Sequence, residues 1–204
     1  MVDVREVIFP KYSSEVEREL REYGINEVYS YGKVRLKDDI FVLGKGKSGI
    51  IALLDDKRVI KIRRTDSPKE TMELEAKLQI MAYPASPKVY LYGKNFIVME
   101  YINGHELSQN TPLNLKVDLL YRAKYLEDVK IEHHELSRPW KNVIVTPDRT
   151  YIIDYDSASI KEKAYNVTKI LSSVFKNYEL AQKYKRGEIT LSEIVSTLLE
   201  ASST

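Results

Sequence analysis

A chain of 204 residues, 43% of them hydrophobic and 30% charged, has the composition of an ordinary globular protein, with enough residues for one sizeable core or two small lobes and too apolar a character for intrinsic disorder. The lack of cysteine excludes a disulfide framework, a thiolate nucleophile and a thiolate zinc site, and a net charge of +2 carries no general signal for a polyanion partner. The N-terminal residues hold no signal-peptide core and no apolar run approaches the ~18 residues of a membrane span, so a soluble cytoplasmic protein with no membrane partner is expected.

Ser13 or Ser14, followed by Glu15 to Tyr23 and closed by Gly24, predicts a capped helix in an N-terminal extension, residues 1–38. Its composition suits packing on its own lobe or dimerisation equally, which leaves the oligomeric state open. Two apolar runs, Ile40 to Leu43 and Ile50 to Leu54, then flank Gly44-Lys45-Gly46-Lys47-Ser48-Gly49, a Gly-x-Gly-x-x-Gly turn. Asp55 to Arg58 is a polar turn before a third strand, Val59 to Ile62. A glycine turn between antiparallel strands can bring backbone amides close to a phosphate because no Cβ blocks the approach. Lys61 alternates with Ile60 and Ile62, so its ammonium belongs to the opposite sheet face, where a phosphate could be its partner. Residues 44–64 hold seven Lys or Arg against two Asp, a local excess that suits the same ligand or makes a plain basic hairpin. Two rival nucleotide motifs fail here. A P-loop needs a glycine where Phe41 stands, and both it and a Rossmann turn need a following helix where this chain offers a strand.

Ser67 as N-cap and Pro68 in the first turn predict a second helix over about Lys69 to Met81, with Leu74, Leu78 and Met81 as its apolar stripe. Glu73 and Glu75 flank the leading residue of that stripe by about 100° on either side, and periodicity does not choose between them. Lys88 to Tyr92 and Phe96 to Glu100, joined at Gly93-Lys94-Asn95, complete a sheet of roughly five strands with one helix over residues 39–102. Tyr101 to Gly104 marks the expected boundary with a helix-rich region, residues 103–204. There Leu115, Leu119, Ala123 and Leu126 repeat at helical spacing as a core stripe. Ile131 to Asn142 reads as a polar and aromatic loop, Val143 to Val145 and Tyr151 to Asp154 as a hairpin ending in an acid, and about Glu162 to Phe175 and Leu191 to Leu199 as helices, with a frayed tail from Ala201.

The order of these pieces over about residues 40 to 175 resembles the protein kinase-like superfamily, especially minimal atypical kinases of the RIO-like and KEOPS-associated types and a small archaeal predicted Ser/Thr kinase family. The resemblance rests on Gly44, Gly46 and Gly49, Val59-Ile60-Lys61, Glu75-Ala76-Lys77-Leu78, Val98 to Gly104, His133-His134-Glu135-Leu136, Asn142, and Ile152-Ile153-Asp154-Tyr155-Asp156. It implies an α+β, two-lobed fold with a small antiparallel N-lobe and a reduced helical C-lobe, and ATP and Mg²⁺ as cofactors. It also implies roles for particular residues. Lys45 and the glycine loop would cover the phosphates, and Lys61, paired with Glu75, would hold α- and β-phosphate oxygens. The Glu100 carbonyl and Ile102 amide would meet the adenine edge with Met99 behind it, and Asp154 and Asn142 would hold the metal, with Asp156 a further candidate.

The catalytic segment departs from the family pattern, in which His-x-Asp-Leu precedes an asparagine by five residues from the acid. Here the acid is Glu135 and Asn142 lies seven residues later. Glu135 would still orient or deprotonate an acceptor hydroxyl, with Arg138 or Lys141 as the transfer-stabilising cation. Structural roles are expected for His133 and His134, since adjacent histidines rarely chelate one metal. The implied function is an ATP- and Mg²⁺-dependent kinase acting on a hydroxyl, with Ser/Thr of a protein substrate or of itself as the expected acceptor. A nucleotide-binding pseudokinase, an ATPase-like switch and a small-molecule kinase are the alternatives. Nucleic acid is not indicated, because the tyrosines are dispersed and form no RNA-binding motif.

Overall fold

Ser13 turns the extended chain into a helix by accepting the Val16 amide on its hydroxyl at 3.3 Å, and α1 (Ser14–Glu22) runs from there to a left-handed Gly24 at φ 78°. It belongs to the first of two units in the computed structural model, which describes residues 1–203. One unit is Met1–Ile80 with Pro87–Ile102, and the other is Met81–Ser86 with the chain from Asn103 onward.

The first unit is built on a five-stranded antiparallel sheet in the order Gly44–Lys45, Gly49–Leu53, Arg58–Arg63, Phe96–Glu100, Val89–Tyr92. Alternation along the strands gives it two buried faces. Ile50, Ile60, Ile62, Phe96 and Val98 share a core with Val16 and Leu20 of α1, while Val59, Ile97 and Met99 share another with Met72 and Ala76, at the start of α2 (Glu73–Ala82). The N-terminal helix therefore packs on its own unit. Glu19 fixes it there, accepting the Lys94 amide at 2.9 Å and the Asn95 amide at 2.8 Å on its two carboxylate oxygens.

Helix α2 corrects the sequence reading in two ways. It begins at Glu73 and not near Lys69, because Ser67 closes a local turn on the Lys69 amide at 3.2 Å and the Met72 amide is drawn to the Lys94 carbonyl at 2.8 Å. Its buried residues are Glu75, Ala76, Leu78, Gln79 and Ala82, so of the predicted stripe Leu78 is buried, whereas Leu74 is 59% and Met81 40% exposed.

In the second unit α3 (Leu113–Asp128) buries Leu115, Leu119, Ala123 and Leu126, as its periodicity predicts. The hairpin Val143–Val145 with Thr150–Ile152 forms with Val143 opposite Ile152, and His105–Glu106 adds a third strand. Gly104 permits that pairing, since a Cβ there would sit 2.4 Å from the Val145 carbonyl oxygen. Within the expected loop, Ile131–Glu132 pairs with Ser159–Ile160, and two 3-10 turns, His134–Ser137 and Pro139–Lys141, follow. This pairing shortens the next helix. Residues 162–166 stay non-helical and α4 is Val167–Ser173, its entry set when Glu127 accepts the amides of Asn166 at 2.8 Å and Val167 at 2.7 Å. Helix α5 (Tyr178–Lys185) has no counterpart in the sequence reading, and α6 (Leu191–Ser202) carries a Thr190–Glu193 capping box and stays helical through Ala201, where fraying was expected. Among the described residues no helix is long and apolar enough to cross a membrane.

Candidate active site

In the first unit, the candidate residues centre on one buried cation. Lys61 lies opposite Ile97 on the sheet face that packs against α2, in surroundings too apolar to hold an unpaired ammonium. Its Nζ is 2.7 Å from Glu75 Oε2, with the two side chains 7% and 4% exposed. The choice that periodicity left open is made by this contact: Glu75 faces inward and Glu73 is exposed. Gln79, one turn on, is buried too, donating to the Pro87 carbonyl at 3.0 Å and lying 3.4 Å from Met99 Sδ.

Above Lys61 the glycine turn is a tight hairpin, with Gly44 opposite Ile51, Lys45 opposite Ile50, and the Gly46 amide donating to the Gly49 carbonyl at 3.0 Å. The three glycines have different reasons to be glycine. A Cβ on Gly49 would lie 2.9 Å from Lys61 Cγ and 3.1 Å from the Ile62 carbonyl oxygen, so this position lets the lysine side chain pass. A Cβ on Gly44 would make ordinary contacts at 3.6 Å with Ile51, and one on Gly46 would meet only the Gly49 oxygen, at 3.9 Å. Packing within the chain does not require glycine at those two positions, whereas close approach of a ligand to the backbone does.

Sequence reasoning missed what holds this turn. Arg64 donates to the Gly46 carbonyl at 3.0 Å and to both oxygens of Asp66 at 2.8 Å, and Arg64 and Lys45 lie over the Phe9 ring at 5.1 and 4.6 Å. The Lys45 ammonium is thus on Phe9 of the N-terminal extension. No local pattern announces a contact between residues 9 and 64. At the end of the sheet Met99 and Ile102 are buried, and the Glu100 amide and carboxylate bind the Lys88 carbonyl and amide at 2.8 and 3.2 Å.

In the second unit the candidate residues sit on the hairpin and the segment before it. Asn142 ends the second 3-10 turn, and its carbonyl accepts the Ile153 amide at 2.9 Å, so its side chain leaves the hairpin one residue from the level of Asp154. Asp154 is in the left-handed region at φ 69°, an uncommon backbone state for a non-glycine residue and one that recurs at functional turns. Asp156 follows the fully buried Tyr155, whose hydroxyl donates to the Ile152 carbonyl at 3.0 Å. Asn142 and Asp154 offer two hard oxygen donors from one hairpin. This is the protein share that Mg²⁺ takes where phosphate and water complete its shell, and among the described residues no group of three or more His, Cys, Asp or Glu could hold a metal alone.

His133 ties the segment that carries Glu135 to this hairpin. Its Nδ1 accepts the Glu135 amide at 3.3 Å and its Nε2 lies 2.9 Å from the Ile153 carbonyl oxygen, the pattern of a neutral imidazole protonated at Nε2. Burial pushes its pKa below the ordinary histidine value. Asn166, the residue before α4, supports the same segment, accepting the His133 amide at 2.9 Å and donating to the Ile131 carbonyl at 2.7 Å. Glu135 is exposed on this base, with Oε1 3.3 Å from Ser157 Oγ. Arg138 and Lys141 are exposed nearby in sequence, and His134 is occupied with Ser159 Oγ at 2.8 Å. Burial and the Tyr165 amide act on Glu132 in opposite senses; the amide, with Lys161, keeps its carboxyl below the usual range.

No family model and no curated protein matches this chain. Solved structures do. The gentamicin complex of APH(2")-IIa is similar at TM-score 0.57 and 13% identity over 88% of this chain and 86% of that chain. An ADP-bound aminoglycoside phosphotransferase, APH(2'')-Ib, is similar at 0.56 and 14% over 86% of each chain. This is the kinase-like two-lobed fold. The streptomycin and ATP ternary complex of APH(2")-IIa, at TM-score 0.53 and 14% identity over 86% of this chain and 89% of that chain, has the same kinase-like fold. At such identities the likeness is one of fold, and the activity has to be argued from the residues.

Proposed function

We propose that this chain is an ATP- and Mg²⁺-dependent phosphotransferase that moves the γ-phosphoryl group of ATP to a hydroxyl. The observation that carries the reading is the buried Lys61–Glu75 pair beneath a hairpin whose Gly44 and Gly46 are unexplained by packing. In this reading Glu75 holds Lys61 charged and aimed in an apolar setting, and Lys61 meets the phosphates. The backbone of Gly44, Lys45, Gly46 and Gly49 approaches the same phosphates, the Glu100 carbonyl and Ile102 amide hold the base, and Met99 backs it. Asn142 and Asp154 would hold Mg²⁺, which when bound neutralises charge on the phosphates.

Glu135 orients the acceptor hydroxyl and takes its proton as that oxygen attacks the γ-phosphorus and the bond to ADP breaks. Arg138 is assigned the developing charge. The neutral His133 is a positioning residue, since it holds Glu135 and the Ile153 carbonyl at its two nitrogens.

The acceptor proposed is Ser or Thr of a protein, in the manner of an atypical kinase acting in the cytoplasm. A small-molecule hydroxyl is the second reading, favoured by the streptomycin and gentamicin complexes among the similar folds. Incubation with γ-labelled ATP and Mg²⁺ tests both, using a set of small proteins and a set of aminoglycosides as acceptors. Transfer to protein that is lost in Asp154→Ala and Glu135→Ala supports the first, transfer to an aminoglycoside alone supports the second, and tight ATP binding with no transfer to either sinks the kinase reading in favour of a nucleotide-binding switch.

A further inference from the structure

The carboxylate assigned to the acceptor already has a hydroxyl on it. Ser157 Oγ donates to Glu135 Oε1 at 3.3 Å, both residues are exposed, and a general base must reach the proton it removes at about this distance. Neither partner hangs on free chain. The Glu135 amide is bound to His133 Nδ1, the same ring binds the Ile153 carbonyl just before Asp154, and Ser157 stands between the fully buried Tyr155 and the buried Ala158, whose amide returns to the Tyr155 carbonyl at 3.3 Å. One buried imidazole therefore sets the spacing of the two segments that carry the base and the hydroxyl.

We propose that Ser157 is a phosphoryl acceptor of this chain, modified in cis; the inference rests on the kinase reading above. Ser157 Oγ forms the new bond to the γ-phosphorus of ATP, the bond from that phosphorus to the β-bridging oxygen breaks, ADP leaves, and the hydroxyl proton passes to Glu135. The product is a phosphoserine whose charge of about −1.5 to −2 lies beside the Glu135 carboxylate. Like charges at that spacing repel, so the modified turn moves off Glu135 and frees it for an external acceptor.

The test is phosphopeptide mapping of the full chain after incubation with γ-labelled ATP and Mg²⁺, for wild type, Ser157→Ala and Ser157→Thr, over a tenfold range of protein concentration. The expected result is label at residue 157 in wild type and in Ser157→Thr, at a rate per molecule independent of concentration, with no label there in Ser157→Ala. Because Ser157 is exposed, the alanine variant should unfold at the wild-type temperature. ADP formation or transfer to an added acceptor with residue 157 unmodified overturns this inference and leaves the kinase reading standing. Absence of both ADP formation and transfer overturns the two together. Labelling at 157 that rises in proportion to concentration overturns the assignment in cis.

Discussion

The two units hold their candidate residues in opposite ways. In the first, two candidate residues are part of the core: Lys61 and Glu75 are a buried pair, and Gly49 is shaped to the lysine beside it. In the second, Glu135 and Arg138 are exposed, Asp154 is half-buried and Asn142 buried, and two further buried polar residues, His133 and Asn166, hold the segment that carries Glu135. The lesson is that a single substitution at Lys61 or Glu75 should cost stability and function together, whereas one at Glu135 should cost function alone.

The sharpest break of that comparison is at the ion pair. Lys61→Met and Glu75→Met each break the buried pair, and each should lower unfolding free energy by about 3–5 kcal/mol, whereas the double variant should recover most of the loss because apolar pairs of similar volume replace buried ion pairs at little cost. Denaturant titration of the three proteins checks this, and equal losses in single and double variants would refute it. None of the three should transfer phosphate.

Next in size are two substitutions that probe what lies beneath the acting groups. Gly49→Ala forces a Cβ against Lys61 and should cost about 1–3 kcal/mol. His133→Phe keeps a ring against Tyr155 but leaves the half-buried Ile153 carbonyl without this donor, at a similar cost of about 1–3 kcal/mol. His133 also makes stability pH-dependent. Its pKa is lowered by burial in the folded chain and is near 6.5 in the unfolded one, so the unfolded state binds the extra proton and stability present above about 6.5 is lost as pH falls below it. Unfolding temperatures from pH 8 to 5 should show a decline in wild type that is shallower in His133→Phe.

The variants with the smallest effects on stability should still lose activity. Gly46→Ala and Glu135→Gln touch open space and an exposed side chain, so both should stay within about 0.5 kcal/mol of wild type. Glu135→Gln should lower the transfer rate by a factor of about 10²–10⁴ with ATP binding retained, while Gly46→Ala should weaken ATP binding. Glu135→Gln with full transfer activity would remove the glutamate from the base position.

Much of the fold was legible because its signals are local. The Ser13 cap and Gly24 stop bound α1, the Gly93–Asn95 turn separates two short strands, and the spacing of Leu115, Leu119, Ala123 and Leu126 marks α3. Failures came where distant residues set the answer. Helix α4 starts late because Glu127 and Glu132 capture the amides of residues 165–167, and α5 went unseen because only Leu180 and Ala181 of its residues are buried. The stripe of α2 was misplaced because two of its buried members, Glu75 and Gln79, are polar and enter the core only with partners fourteen and eight residues away.

By itself, then, the sequence determined the order of the chemical groups, the glycine turn, the strand lysine, the carboxylates and the hairpin between Asn142 and Asp154, since residue type and short-range spacing encode these. Only the tertiary structure decided which glutamate meets Lys61, which glycine is needed for packing and which is not, that His133 is a neutral tether, and that Ser157 lies on Glu135. Each of those depends on burial and on hydrogen bonds between segments far apart in the chain, where a polar residue's place follows from the partner that satisfies it and not from its neighbours in sequence.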